Sequence, residues 1–236
     1  MSKIYPERTI SDELSNAALD GDSEEMQRLI ELAPLLNPLE ESFGILFIQS
    51  AQNVKLFEAV VVNTNLTALS DEEKAGYLVG IINLANHEPS PQREAARILI
   101  DKVGFNPNNK ANSGASNALS AAAEQGDVET TKMVLRCRNR IRGFEDDAVR
   151  DLIIFGIDRG LIDVRRDLVT PRGGEDVVPK LLGNEARMAE LRRAKEAADL
   201  RTGGEGGKKP ATTAKVFPGG AHSTQPKPPK DCCVIS

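Results

Sequence analysis

The residues best placed to do chemistry are two adjacent thiols in the segment Asp231-Cys232-Cys233-Val234-Ile235-Ser236. A cysteine followed by two aliphatic residues and a final serine is a CaaX box, and serine in that last place favours a farnesyl over a geranylgeranyl group. Cys233 is therefore the expected prenylation site. One prenyl chain anchors a protein only marginally, so a second signal is expected beside it. Cys232 is the natural S-palmitoylation site, with Lys227 and Lys230 adding weaker electrostatic support. These residues predict two partners, a prenyltransferase and a membrane surface held through the lipid.

The remaining reactive residues point away from catalysis. Gly203-Gly204-Glu205-Gly206-Gly207-Lys208-Lys209 has neither the glycine spacing nor the metal-binding hydroxyl of a phosphate-binding loop. Asn109-Lys110-Ala111-Asn112 lacks the final Asp of a guanine-reading motif. Gly114-Ala115-Ser116-Asn117-Ala118 ends in Ala where a nucleophile elbow needs Gly. The chain has two histidines, His87 in an Asn-His-Glu-Pro loop and His222 in a linker, which gives general-base catalysis little to work with. Cys137, the third cysteine, reads as a structural or surface thiol. Three cysteines, two of them adjacent, make neither a disulfide framework nor a zinc-ligand spacing. No catalytic residue, cofactor or metal is expected, and the chain is read as non-enzymatic. The alternative is an enzyme using unrecognised carboxylate chemistry on a helical fold.

The elements that must carry these residues are read from composition and periodicity. The 236 residues are 40% hydrophobic, with no Trp, two Tyr and seven Phe, so Leu, Ile, Val and Ala dominate. That mixture suits stacked helices better than a sandwich of strands. No apolar run approaches the roughly 18–20 residues of a membrane-spanning helix. The opening Met1-Ser2-Lys3-Ile4-Tyr5-Pro6 has no apolar signal region, and Ser2 stands where myristoylation needs Gly. The expectation is a protein made in the cytosol and held on the cytosolic face of a membrane by its lipid.

Charge is unevenly placed. Residues 201–236 carry six basic and two acidic side chains, which leaves a net −9 over residues 1–200 of a chain whose total is −5. An acidic body argues against nucleic acid as a partner, and a basic tail suits an anionic membrane surface.

Internal repetition organises residues 11 to about 170. Residues 14–30, LSNAALDGDSEEMQRLI, and 119–135, LSAAAEQGDVETTKMVL, share Leu-x-x-Ala-Ala, then Gly-Asp and a Glu two places on. Each reads as a helix hairpin. Small alanines let the first helix pack closely, Gly21 or Gly126 takes the left-handed turn, and Asp22 or Asp127 caps the second helix. The second helices are expected to bury Met26, Leu29 and Ile30, or Thr131, Val134 and Leu135. Weaker copies place caps at Asn53 and at Ser90 with Pro91 behind it, and a capping box at Ser70-Asp71-Glu72-Glu73. A fifth copy sets Gly160 at the turn. Aligning Glu24, Lys55, Glu94, Glu129 and Asp163 spaces the units 31, 39, 35 and 34 residues apart, close to the period of about 33–35 seen in helix-turn-helix arrays.

Residues 104–126, GFNPNNKANSGASNALSAAAEQG, resemble an ankyrin repeat: Gly104, Asn108, Gly114, Leu119, Ala122, Ala123 and Gly126 match its pattern. One extra residue lies near Asn117, and Ser-Asn-Ala-Leu-Ser replaces the Thr-Pro-Leu-His core. The resemblance is strong in units one and four and loose elsewhere. It implies an all-α, ankyrin-like helix-turn-helix solenoid of about five units with a disordered C-terminal tail. Expected boundaries are an N-terminal segment 1–10, a repeat domain 11–182, a polar helix or cap 183–202, a disordered basic linker 203–231 and the lipidation motif 232–236.

The C-terminal segment resembles the lipidated tails of Ras-like GTPases, although the body carries none of their nucleotide motifs. The combination is similar to secreted bacterial effectors that pair ankyrin repeats with a CaaX box and use the host's prenylation machinery. It is equally similar to an endogenous eukaryotic adaptor. Either way, the resemblance implies a membrane-tethered adaptor for a protein partner. The turn residues Asn109, Lys110, Asn112 and Ser113 are its expected contacts.

Overall fold

The computed structural model describes residues 10–32, 35–40, 43–85, 90–111, 116–138, 141–169 and 181–203. They are helical, and no strand forms among them. A single residue pair, Leu36 with Thr64, makes a parallel bridge.

The helices follow one another as hairpins: α1 (Ile10–Asp20) with α2 (Ser23–Leu32), α3 (Phe43–Ser50) with α4 (Val54–Val62), α5 (Asp71–Asn83) with α6 (Pro91–Ile98). α7 (Ala118–Gln125) pairs with α8 (Val128–Arg136), and α9 (Asp147–Asp158) is followed by the short α10 (Val164–Asp167) and by α11 (Glu185–Gly203). α6 runs on through a π-helical turn at Leu99–Val103, which Gly104 ends in the left-handed conformation.

Local chemistry sets these boundaries. Gly21 and Gly126 close their helices at φ +70° and +73°, a region L-residues enter at a cost of about 1–2 kcal/mol. Asp22 then accepts from the Glu25 N–H at 3.0 Å, and Asp127 from the Thr130 N–H at 3.0 Å. Asn53 accepts from Lys55 and Leu56, Ser90 from Arg93, and Pro91 sits at the first position of α6, where a missing N–H costs nothing. Ser70 and Glu73 form a reciprocal capping box at the start of α5.

The cap residues also correct the sequence register. Asp22, Asn53, Ser90, Asp127 and Asp163 occupy equivalent N-cap positions. Asp163 is therefore a cap, not the counterpart of Glu24 and Glu129, and Glu94 lies further into its helix than they do. The last turn is longer: Gly160, Leu161 and Ile162 precede the cap, with the Leu161 and Ile162 N–H groups both donating to Gly156 O.

Helices pack in two rows. First helices contact first helices, α1 on α3, α3 on α5 and α5 on α7; second helices do likewise, α2 on α4, α4 on α6 and α6 on α8. α9 lies against α8, and α10 against α7. Met26, Leu29, Ile30, Thr131, Val134 and Leu135 are all buried. So are the tandem alanines Ala17, Ala18, Ala122 and Ala123, whose small side chains let neighbouring helices approach closely. Phe43, Phe47, Phe57 and Tyr77 form an aromatic cluster with ring centroids 5.1 to 5.9 Å apart, spacings at which tilted and edge-on rings attract.

Two compact units are distinguished, residues 1–198 and residues 199–236, and only the end of α11 is described in the second. α11 buries Met188 and Leu191, and Arg187 donates to Leu161 O.

Candidate functional site

The first helices leave an open cleft of about 590 Å³ lined by Ile48 of α3, by Ser70, Glu72, Glu73, Gly76 and Tyr77 of α5 and its cap, and by Ala111. Each wall has a local cause. The capping box fixes Glu73: its carboxylate accepts from the Ser70 N–H and hydroxyl, both at 2.7 Å. Those bonds, hydroxyl first, hold the Glu73 pKa below the usual carboxylate range, so it is an anion and not a proton donor.

Tyr77 stands half-buried between this acidic rim and the aromatic cluster. Burial, and secondarily the charge of Glu73, pushes its phenol pKa up, so the hydroxyl stays neutral. Its ring lies close to α3: a Cβ on Gly44 would stand 3.4 Å from Cε1. A Cβ on Gly80 would likewise meet Ile48 Cδ1 at 3.2 Å. Gly76 differs, because a Cβ there would meet nothing within 4 Å; the space above it belongs to the cleft.

The turn expected to make contacts borders this cleft. Asn109 and Lys110 are half-buried and lead into Ala111. The turn is braced: the Asn109 N–H donates to Asn106 O at 3.2 Å, and the Ala118 N–H to Pro107 O at 3.2 Å. The following loop is tied to it by the Arg142 N–H, which donates to Asn108 Oδ1 at 2.6 Å. Asn112 and Ser113 lie outside the described residues, as do Cys232, Cys233, His87, His222 and the linker from Gly204 onward.

Sequence reasoning missed Ile48, Gly76 and Tyr77. They come from two helices, and each reads alone as core. The one available signal was Gly76 with Gly80, two glycines a turn apart in a helix, where each costs about 1 kcal/mol unless space requires it.

Cys137 is buried beside Met133, with Sγ 3.5 Å from the thioether sulfur. Burial, and secondarily Asp101, pushes its thiol up to about 12, far from a reactive thiolate. Among the described residues, no group of three or more His, Cys, Asp or Glu is placed to hold a metal ion. No described helix is long and apolar enough to cross a membrane. No family model matches the chain, and no curated protein or solved structure matches it.

Proposed function

We propose that this chain is a membrane-tethered adaptor, an ankyrin-like helical repeat protein that presents its first-helix cleft to a protein partner. The observation that carries the reading is the cleft itself. It is lined by Ile48 of α3, by α5 with its cap, and by Ala111, the residue after Lys110, and first-helix faces and turns are where ankyrin-like stacks take their partners. The acidic balance of residues 1–200 supports a protein over a nucleic acid. In this reading Cys233, in its Val-Ile-Ser context, carries a prenyl group and Cys232 a palmitoyl group.

Proximity labelling in cells that contain prenyltransferases tests both halves. The wild-type protein is expected at membranes with a defined neighbour set. Cys233→Ser should release it, and Cys232→Ser should leave weak, reversible attachment. Paired changes Asn109→Ala and Lys110→Ala should keep membrane residence while thinning the neighbour set. Full membrane retention of Cys233→Ser removes the tether. A neighbour set unchanged by every substitution at the cleft and its bordering turn removes the adaptor.

A further inference from the structure

Resting on that reading, we infer that the cleft recognises a peptide segment carrying one lysine or arginine beside an apolar residue, with Gly76 as the floor on which the cationic side chain lies.

The walls state this preference in chemical terms. Glu72 and Glu73 put two carboxylates at the rim where α5 begins; Asp71 before them already faces the Lys74 ammonium at 3.9 Å and is not one of the walls. Glu73 is held ionised by Ser70. A cation placed there gains charge-assisted hydrogen bonds, which are about twice as strong as neutral ones. Tyr77 lines the same space with its hydroxyl neutral, and an aromatic wall attracts a cation further. Ile48 supplies the apolar contact on the α3 side. The aliphatic stem of Lys or Arg covers apolar surface while its head seeks charge, so one long basic side chain fits both walls together. An acidic side chain would meet the like charges of Glu72 and Glu73 at the rim.

Size agrees. A volume of about 590 Å³ lies inside the range of about 300–1,000 Å³ that binds compact ligands, enough for a few residues of a peptide. Space is open above Gly76, where an added Cβ would meet nothing within 4 Å. A glycine with ordinary helical backbone and room above it is not required by the packing of α5. The room is what it provides.

The decisive variant follows from that openness. Gly76→Met fills the cleft, introduces no clash at Cβ and improves helix propensity, so it should fold at least as well as the wild type. A second variant, Glu72→Gln with Glu73→Gln, removes charge while retaining a capping box, since Gln serves at that position. A display library of randomised nine-residue peptides is panned against the full chain and both variants, each first checked by circular dichroism and melting temperature. The expected result is enrichment of peptides with one fixed Lys or Arg. Synthetic copies should bind Gly76→Met about tenfold or more weakly, and the Gln pair should lose the preference for the basic residue. Enrichment of peptides that depend on Gly76 but carry no basic residue overturns this inference and leaves the adaptor standing. Enrichment indifferent to Gly76→Met, or none at all, overturns this inference; the adaptor then stands or falls on the neighbour set of the Asn109→Ala and Lys110→Ala change.

Discussion

Arg93 in α6 donates from Nη2 to both carboxylate oxygens of Asp127, at 3.2 and 3.3 Å, and Asp127 is the residue that caps α8. Thr130 completes the network: its hydroxyl accepts from Arg93 Nε at 2.9 Å and donates to Asp127. The side chains of Arg93 and Asp127 are 19% and 15% exposed, so this tie between consecutive second helices is largely shielded from water.

Removing either charge should therefore loosen the stack measurably. Arg93→Met leaves the Asp127 carboxylate with only its Thr130 bonds and should cost about 1.5–3 kcal/mol in urea unfolding. Burial alone would raise the Asp127 pKa, but bonds from Thr130 and the Arg93 charge outweigh it and hold the value below normal. A depressed folded pKa stabilises above the unfolded value of about 3.9 and loses that contribution as pH falls through the folded one. Asp127→Asn, which keeps a good cap, should thus be less stable than wild type at pH 7, and the gap should close as pH falls below the unfolded value and through the depressed folded one. A gap constant with pH would mean the carboxylate is not what ties the helices.

Gly21 and Gly126 have the same backbone geometry but different surroundings, and alanine should separate them. At Gly21 a Cβ meets nothing within 4 Å, so Gly21→Ala bears only the left-handed penalty of about 1–2 kcal/mol. At Gly126 the Cβ would overlap the Arg165 guanidinium, which donates from Nη2 to Gln125 O at 2.6 Å. Gly126→Ala must displace that side chain as well. Thermal unfolding should show Gly126→Ala less stable than Gly21→Ala by about 0.5–1.5 kcal/mol, the worth of one hydrogen bond. Adding Arg165→Ala to both should erase the difference.

The same contrast shows what the sequence could reveal. Gly-Asp turns, the caps at Asn53 and Ser90, the Ser70–Glu73 box and the buried faces of α2 and α8 were legible because each is decided within about four residues. Register failed at Asp163, where Leu161 and Ile162 lengthen the turn and no local rule counts turn residues. The cleft was hidden for another reason. Ile48 and Tyr77 come from different helices, and an apolar or aromatic residue on a helix reads as core until its neighbour is placed. Arg150 was hidden likewise, since a charged residue at the start of α9 suggests an exposed one.

Arg150 is instead buried. Its side chain is 10% exposed and pairs through Nη2 with Asp147, while Nε and Nη1 have no hydrogen-bond partner among the described residues. Asp147 is 71% exposed, so its carboxylate is solvated with or without the arginine. Two donors stripped of water and left unpaired cost about 1–3 kcal/mol each in mutational data. The exposed half of an ion pair repays about 0–1 kcal/mol. Replacing a whole buried ion pair by apolar residues of similar volume is often neutral or stabilising, and here the partner left behind is already solvated, so one replacement is enough. Arg150→Met keeps the aliphatic stem, suits a helix, and orphans no buried group. It should raise stability by about 1 kcal/mol or more, read as a higher urea midpoint with an unchanged slope. Arg150→Ala should do worse than Arg150→Met, because it also leaves a cavity where the stem packed. If Arg150→Met instead unfolds about 1 kcal/mol more easily than wild type, the guanidinium is satisfied in solution and the burial argument for α9 is wrong.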